Sequence, residues 1–264
     1  MSVLKRRYWG GVFAVRSRNA PVYVCKTGDA FYDPESEAEM LTRLAASGLP
    51  VARPVYVESG LLVLEGFPAV PADCHCITRA GSAVAAMHED DTSGLYGYPN
   101  STFFGALKLD NDWSQRWSSF FIERRLRRFA AHARDSAWLA DDLDDGVQAA
   151  AQRLADIMPE PDRPALLHGD LWANNIQSVE GFPLFLDPAA FYGDPDYDVA
   201  FMATYLDMRQ AAIKAYRRAR SLGPEFWRIK LPAYRLAFHL AHLALFGERF
   251  APAVRAQISH VLAI

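Results

Sequence analysis

Along the first 65 residues the apolar positions fall in short runs. Val12-Phe13-Ala14-Val15 and Val22-Tyr23-Val24-Cys25-Lys26 read as two strands, with Arg18-Asn19-Ala20-Pro21 as the turn between them. Leu61-Leu62-Val63-Leu64 reads as a third, continuously apolar strand, broken by Glu65-Gly66-Phe67-Pro68. Met40, Leu41 and Leu44 recur at helical spacing. Pro34 near the start, the acids Glu35, Glu37 and Glu39 in the first turns, and Gly48 as a stop predict a helix over Pro34–Ala46. Beyond this the period turns helical, and helices are predicted over 80–88, 113–132, 144–157, 199–220, 226–246 and 252–262. One stretch interrupts them. Residues 164–167 are a short apolar lead-in, 175–179 and 182–186 read as paired strands, and Glu180-Gly181 is their turn. The expected fold is therefore α+β and two-lobed: a small β-rich lobe over residues 1–66 and a larger, mostly helical lobe over 67–264, with a cleft between them.

Composition narrows this only a little. The 264 residues suit one large or two modest domains, and 51% hydrophobic with 22% charged residues is an ordinary globular balance. A net charge of -3 gives no bulk attraction to nucleic acid or anionic membrane, so neither is an expected partner. Three cysteines, at 25, 74 and 76, make no disulfide framework. Cys74-His75-Cys76 has no second cluster to complete a metal site, so free thiols near a helix start and a reducing compartment are expected. No apolar run of signal-peptide or membrane-spanning length is present, and the nearest candidate, 236–246, carries His239 and His242. A soluble cytoplasmic protein is expected, as a monomer or weak dimer.

The chemistry concentrates between residues 168 and 187. His168-Gly169-Asp170-Leu171-Trp172-Ala173-Asn174-Asn175 places an acid and an amide five residues apart, and Asp187-Pro188 follows the second strand of the hairpin. Phosphoryl transfer from ATP needs a carboxylate to orient and deprotonate the acceptor hydroxyl, and an amide oxygen with a second carboxylate to hold Mg²⁺ against the phosphates. Protein kinases write this as H-R-D-x-x-x-x-N with a metal Asp on the next hairpin. Here the loop reads H-G-D-x-x-x-x-N, which assigns Asp170 as catalytic base and Asn175 and Asp187 as Mg²⁺ ligands. Taken singly, each residue reads as a loop cap; together, across a strand-loop-strand unit, they read as a phosphotransferase.

The amino-terminal half supplies candidates for ATP. Lys26 ends an apolar strand, where such folds place the Lys that contacts phosphates. Glu37, with Leu41 and Leu44 following on the same helix face, is its expected partner, and Glu39 is the second choice. Gly10-Gly11, just before the first strand, offers backbone N–H groups for a phosphate, although it is not a G-x-G-x-x-G loop. Glu65 and Phe67 lie at the hinge expected to meet adenine.

The chain resembles the fructosamine (ketosamine 3-) kinases, in the aminoglycoside phosphotransferase-like branch of the protein-kinase-like fold. The resemblance rests on Leu167-His168-Gly169-Asp170-Leu171-Trp172, Asp187-Pro188-Ala189-Ala190-Phe191-Tyr192-Gly193 and Asp196-Tyr197-Asp198-Val199-Ala200. Phe104-Gly105, Asp112-Trp113-Ser114, 120–126 and 234–247 are similar to the family's middle and carboxy-terminal segments. The resemblance implies ATP-dependent phosphorylation of the sugar 3-hydroxyl of a fructosamine or related ketosamine, a small glycated amine, which makes the adduct labile. It matches Asp170 to the base, Asn175 and Asp187 to the metal ligands, and Lys26 and Glu37 to the phosphate pair. Asp198 is matched to an acid that brackets the loop, and His168 to its supporting shell. The chain departs from the family in its glycine-loop pattern and in Asn174 where a small residue is expected, and the family's amino-terminal helix is expected to be shortened or absent.

Recognition of the acceptor is less visible. Trp172 reads as a pocket wall or as a core ring beneath the loop, and Tyr192 as a pocket residue or as packing. Glu123-Arg124-Arg125 reads as a solvated face. His88, His239 and His242 read as packed structural residues. Two alternatives stand beside the ketosamine reading. One is a related kinase acting on an aminoglycoside or amino alcohol, for which Asp141-Asp142 and Asp144-Asp145 are candidate acids. The other is a nucleotide-binding scaffold that has lost catalysis.

Overall fold

A computed structural model describes residues 2–7, 10–15, 22–28, 32–89 and 93–264. The turn expected at 18–21 lies outside the described residues. Five antiparallel strands form the first sheet: β1 (Ser2–Arg7), β2 (Gly10–Val15), β3 (Tyr23–Gly28), β4 (Pro54–Glu58) and β5 (Leu61–Glu65), in the order β1-β2-β3-β5-β4. Two of these were not expected. β1 holds only two apolar residues, Val3 and Leu4, ahead of Lys5, Arg6 and Arg7, and β4 is an edge strand whose Val55, Tyr56 and Val57 stay exposed. Gly10 and Gly11 do not precede the first strand. They open β2, with register partners Arg7 and Arg6 on β1 and Gly28 and Thr27 on β3. Their backbone groups therefore belong to a ladder, and the β1–β2 turn itself lies outside the described residues.

Helix α1 (Pro34–Ala46) packs under this sheet. Asp33 caps it by accepting from the Glu35 and Ser36 N–H groups, and Met40, Leu41 and Leu44 are buried beneath. After β5 the chain passes through residues 66–69 to β6 (Val70–Pro71), which pairs with the first of the hairpin strands described below. Helix α2 (Cys74–Met87) then starts six residues before the expected 80, because Asp73 caps it. Cys25, Cys74 and Cys76 are free thiols.

The remaining chain forms the helical part, with β7 (Thr102–Phe104) and β8 (Leu107–Leu109) as a small hairpin against it. Helix α3 (Trp117–Phe121) runs through a π-helical turn at Ile122–Leu126 into α4 (Arg127–Asp135). It begins at Trp117 rather than 113 because a distant side chain, Glu160, accepts the Trp117 and Ser118 N–H groups at 2.7 and 3.3 Å. The π turn rotates Arg125 inward, against the expectation of a solvated face. Arg125 is fully buried, donates to Asn111 Oδ1 at 2.6 Å, and lies over the Phe120 and Phe191 rings. Burial lowers its pKa to about 10.

Helix α5 (Asp141–Ile157) carries Asp141, Asp142 and Asp144 in its first turn, where acids suit the helix dipole. There Asp142 pairs with Arg255 and Asp144 with Arg134. β9 (Ala165–Leu167) leads into the catalytic stretch. β10 (Ile176–Val179) and β11 (Phe182–Phe185) form the expected hairpin, and β12 (Phe191–Gly193) pairs back onto β9. The expected helix over 199–220 is two: α6 (Pro195–Tyr205) and α7 (Arg209–Tyr216), broken where Met208 takes a left-handed φ of 55°. A π turn at Phe226–Lys230, α8 (Leu231–Phe246) and α9 (Ala251–Leu262) complete the chain. No helix among the described residues is long and apolar enough to cross a membrane.

Candidate active site

The loop between β9 and β10 is held from below by one carboxylate. Asp198, on the first turn of α6, accepts the His168 N–H on Oδ2 at 2.8 Å and the Gly169 N–H on Oδ1 at 2.9 Å. It does not cap α6, which is capped by Asp194. His88 Nε2 lies 3.3 Å from the same Asp198 Oδ2, and its Nδ1 is 2.9 Å from the Tyr216 hydroxyl. The brace is thus a buried chain from α7 through α2 and α6 to the loop, and a satisfied charged network of this kind fixes geometry.

Gly169 is obligatory here. Its φ is +82°, and a Cβ would sit 2.2 Å from the Ala189 carbonyl oxygen. That close approach brings the segment after Asp187 across the loop, where the Ala189 N–H donates to the His168 carbonyl at 2.9 Å. His168 is fully buried. Its Nδ1 accepts the Asp170 N–H at 3.3 Å, and burial lowers its pKa to about 4, so the ring is a neutral spacer.

Asn175 closes the 3₁₀ turn Ala173–Asn175. Its Nδ2 donates to Asp170 Oδ2 and to the Asp170 carbonyl, both at 3.0 Å, and to the Asp187 carbonyl at 3.4 Å. The departure at position 174 is harmless to this geometry, because Asn174 is exposed on the outside of the turn. Asp187 itself has φ +52°, a strained conformation for a residue with a Cβ. Its carboxylate is turned to Lys26, with Nζ 2.5 Å from Oδ1. Lys26 also pairs with Glu37 Oε1, and both side chains of that pair are buried. Burial alone would lower the Lys26 pKa; Asp187 and Glu37 outweigh it, and the net direction is up. Glu39 points elsewhere, to the Tyr98 hydroxyl and Asn100. A further tie joins the halves of the site: the Ala190 N–H donates to Met40 Sδ at 3.1 Å, fixing α1 to the segment that follows Asp187.

Asp170, Asn175 and Asp187 line one end of a cavity of about 560 Å³. Trp172, Phe103, Phe104, His242, Phe246 and Phe250 form its apolar walls, with Arg249 at its margin. Trp172 packs against the core and also lines the cavity. Tyr192 does not line this cavity. On β12 it is buried, with its ring 6.3 Å from Trp113 and under the Arg43 guanidinium, because β12 is buried on both faces. The acids at 141–145 are also absent from its lining. Glu65 and Phe67 stand at the link between the sheet and β6; the Glu65 and Gly66 N–H groups donate to the Arg53 and Val22 carbonyls. His239 Nδ1 lies 2.8 Å from the Tyr205 hydroxyl, and His242 stacks on Tyr205. The cavity walls from β7, the 103–106 turn and residues 246–250 were not foreseen as site residues. They come from segments far apart in sequence, and none carries a local motif.

The donor set at the loop end fits a hard divalent cation. Asp187 and Asn175 bring carboxylate and amide oxygens from one short hairpin, the oxygen chemistry that Mg²⁺ takes beside phosphates. Among the described residues there is no group of three or more His, Cys, Asp or Glu side chains arranged to hold a metal alone.

Comparison with known proteins places the chain. A family model described as fructosamine kinase matches residues 23–264. The probable ketoamine kinase YniA of Escherichia coli (strain K12) is 26% identical over 259 residues, covering 97% of this chain and 87% of that protein. A probable ketoamine kinase of Synechocystis sp. is 31% identical over 236 residues, covering 87% of this chain and 79% of that one. Among solved structures, a Thermobifida fusca protein assigned as a fructosamine-3-kinase matches with a TM-score of 0.89 at 23% identity, over 100% of this chain and 94% of that one. A thermostable variant of aminoglycoside phosphotransferase APH(4)-Ia, solved with ADP and hygromycin B, matches with a TM-score of 0.66 at 18% identity, over 99% and 91%. The structural matches establish the two-lobed, kinase-like fold.

Proposed function

Because the chain belongs to the fructosamine kinase family, we propose that its cleft transfers the γ-phosphoryl group of ATP to a sugar hydroxyl of a small ketosamine, the 3-hydroxyl by resemblance. The observation that carries this reading is the convergence of Asp170, Asn175 and Asp187 at one end of a cavity, with Lys26 bound to Asp187 from the sheet above.

In this reading Asp170 accepts the hydroxyl proton and aims its oxygen at the γ-phosphorus. The O–P bond to the acceptor forms as the bond to the bridging oxygen breaks, and ADP leaves with that electron pair. Asn175 donates to Asp170 Oδ2 and so fixes the carboxylate's rotation. Asp198 holds the loop backbone and sets where Asp170 stands. Lys26, kept cationic by its two carboxylates, offers charge to the phosphates. Asn175 and Asp187 would hold Mg²⁺, which when bound neutralises phosphate charge. Glu65 and Phe67 at the link are the backbone groups we assign to adenine. Gly10 and Gly11 open β2 and pair with β1 and β3, and the phosphate role first given to them is not carried into this reading. The protein mainly positions and neutralises, which is what phosphoryl transfer requires. We place the reaction in the cytoplasm, carried out by a monomer or weak dimer on a small glycated amine.

The test is ATP consumption, with Mg²⁺, against a panel of ketosamines, aminoglycosides and amino alcohols. Turnover confined to ketosamines is expected. Turnover confined to either other class would replace the reading, and ATP binding without turnover on any acceptor would make the chain a scaffold.

A further inference from the structure

The loop end of the cavity holds fixed charges that already have partners. Glu37 and Asp187 are paired with Lys26, and Asp33 accepts two N–H groups of α1. Among the residues lining the cavity a single Lys or Arg is present, Arg249. Helix α8 stops at Gly247, whose φ of 82° and ψ of −168° belong to a region that essentially only glycine enters. That turn reverses the chain into the 3₁₀ segment Glu248–Phe250 and brings Arg249 to the cavity margin. The Arg249 guanidinium lies over two rings, 5.4 Å from the centroid of Phe246 and 5.2 Å from that of Phe250. It is exposed, and it makes no ion pair among the described residues.

A guanidinium stacked on aromatic faces keeps its N–H edges outward, where a planar anion can take two of them at once. Its side chain is already ordered by the two rings, so less entropy is lost when an anion docks. Its charge also reaches the neighbouring wall. His242, whose Nδ1 donates to the Phe238 carbonyl at 2.7 Å, has its pKa lowered first by burial and further by Arg249. That wall is therefore neutral, and Arg249 is the cation an acceptor meets there. A volume of about 560 Å³ holds a monosaccharide joined to a small amino acid.

Building on the ketosamine reading above, we propose that Arg249 receives a carboxylate on the acceptor, so that the cavity selects ketosamines of free amino acids over the same sugar on an uncharged amine. With the sugar hydroxyl at Asp170, the amino-acid portion lies along Trp172 and Phe246, and its carboxylate meets Arg249.

The experiment compares two acceptors differing in one group, the glucose ketosamines of glycine and of glycinamide, with the full chain, ATP and Mg²⁺. The glycine adduct should have a kcat/KM roughly tenfold or more higher, carried by KM, the size expected for one charge-assisted contact. In Arg249→Gln this preference should collapse toward unity through KM for the glycine adduct, with kcat within about twofold. Arg249→Lys should restore part of it, because the charge returns without the fork. Equal kcat/KM for both adducts in the unsubstituted protein would overturn the proposal while leaving the kinase reading intact. So would an Arg249→Gln variant that loses the two activities in equal proportion, since that is lost packing on Phe246 and Phe250. No turnover on either adduct would remove the ketosamine reading, and this proposal with it.

Discussion

The two ends of the cavity are built differently. The loop end is one short stretch of chain, residues 168–187, tied down by buried hydrogen bonds to Asp198 and closed electrically by Lys26. The acceptor end is assembled from the β7–β8 hairpin, Trp172, the end of α8 and the 3₁₀ segment after it, and it presents rings with one charge among them, Arg249. Chemistry needs angles fixed to fractions of an ångström, which a local, hydrogen-bonded loop provides. Recognition needs shape and a few anchors, which distant segments can supply and vary. Damage to the loop end should therefore appear in kcat and in folding, and damage to the far end in KM.

The sharpest break is Asp170→Asn. Loss of the base should cut kcat roughly 10²–10⁴-fold, with ATP affinity by titration nearly unchanged; near-normal turnover would end the assignment. Lys26→Met comes next. It leaves Glu37 and Asp187 without their shared cation, and breaking a buried pair costs about 3–5 kcal/mol, read as a lower urea midpoint together with weakened ATP binding. Gly169→Ala forces a Cβ against the Ala189 carbonyl at a positive φ, a strain of about 1–3 kcal/mol. It should lower kcat more than either KM, because the displaced atom is part of the loop. Trp172→Ala should do the reverse, raising the acceptor KM severalfold while the ATP KM stays put.

A further effect compares the two ends through acid. Burial lowers the pKa of His168 at the loop end and of His239 behind the acceptor wall, each to about 4 from 6.5. Between those values the unfolded chain binds more protons than the folded one. The stability of the neutral rings is thus complete above pH 6.5 and drains as pH falls to 4. Each ring contributes a slope of at most about 1.4 kcal/mol per pH unit. Urea midpoints across that range should flatten in His168→Gln and in His239→Gln alike, and no flattening in either would show that neither ring titrates on unfolding.

What the sequence made legible follows the same division. The β10–β11 hairpin, its Glu180-Gly181 turn and the helix Pro34–Ala46 are local, and their boundaries were read nearly to the residue. Lys26 and Glu37, read as a pair, meet in the structure, because strand end and helix face are both periodic signals. Other features depend on contacts far along the chain. Helix α3 starts where Glu160 caps it from 43 residues away, which no local capping rule sees. Arg125 is buried because a π turn rotates it, so a charge pattern that reads as solvated lies in the core. Tyr192 faces the interior because β12 pairs with β9, a register its short sequence does not announce. Phe103, Phe246, Arg249 and Phe250 meet only in three dimensions.

The Lys26–Asp187 pair has a consequence for how nucleotide and metal enter. Without ligand the Asp187 carboxylate is already compensated, so a cation arriving alone must evict an ammonium and gains only the difference between the two. Phosphates change that exchange, because they draw Lys26 to themselves and release Asp187 as they do so. Metal and nucleotide should therefore bind as one cooperative cargo, each lowering the other's dissociation constant by the same factor, with the lysine acting as the counterion that is traded between them.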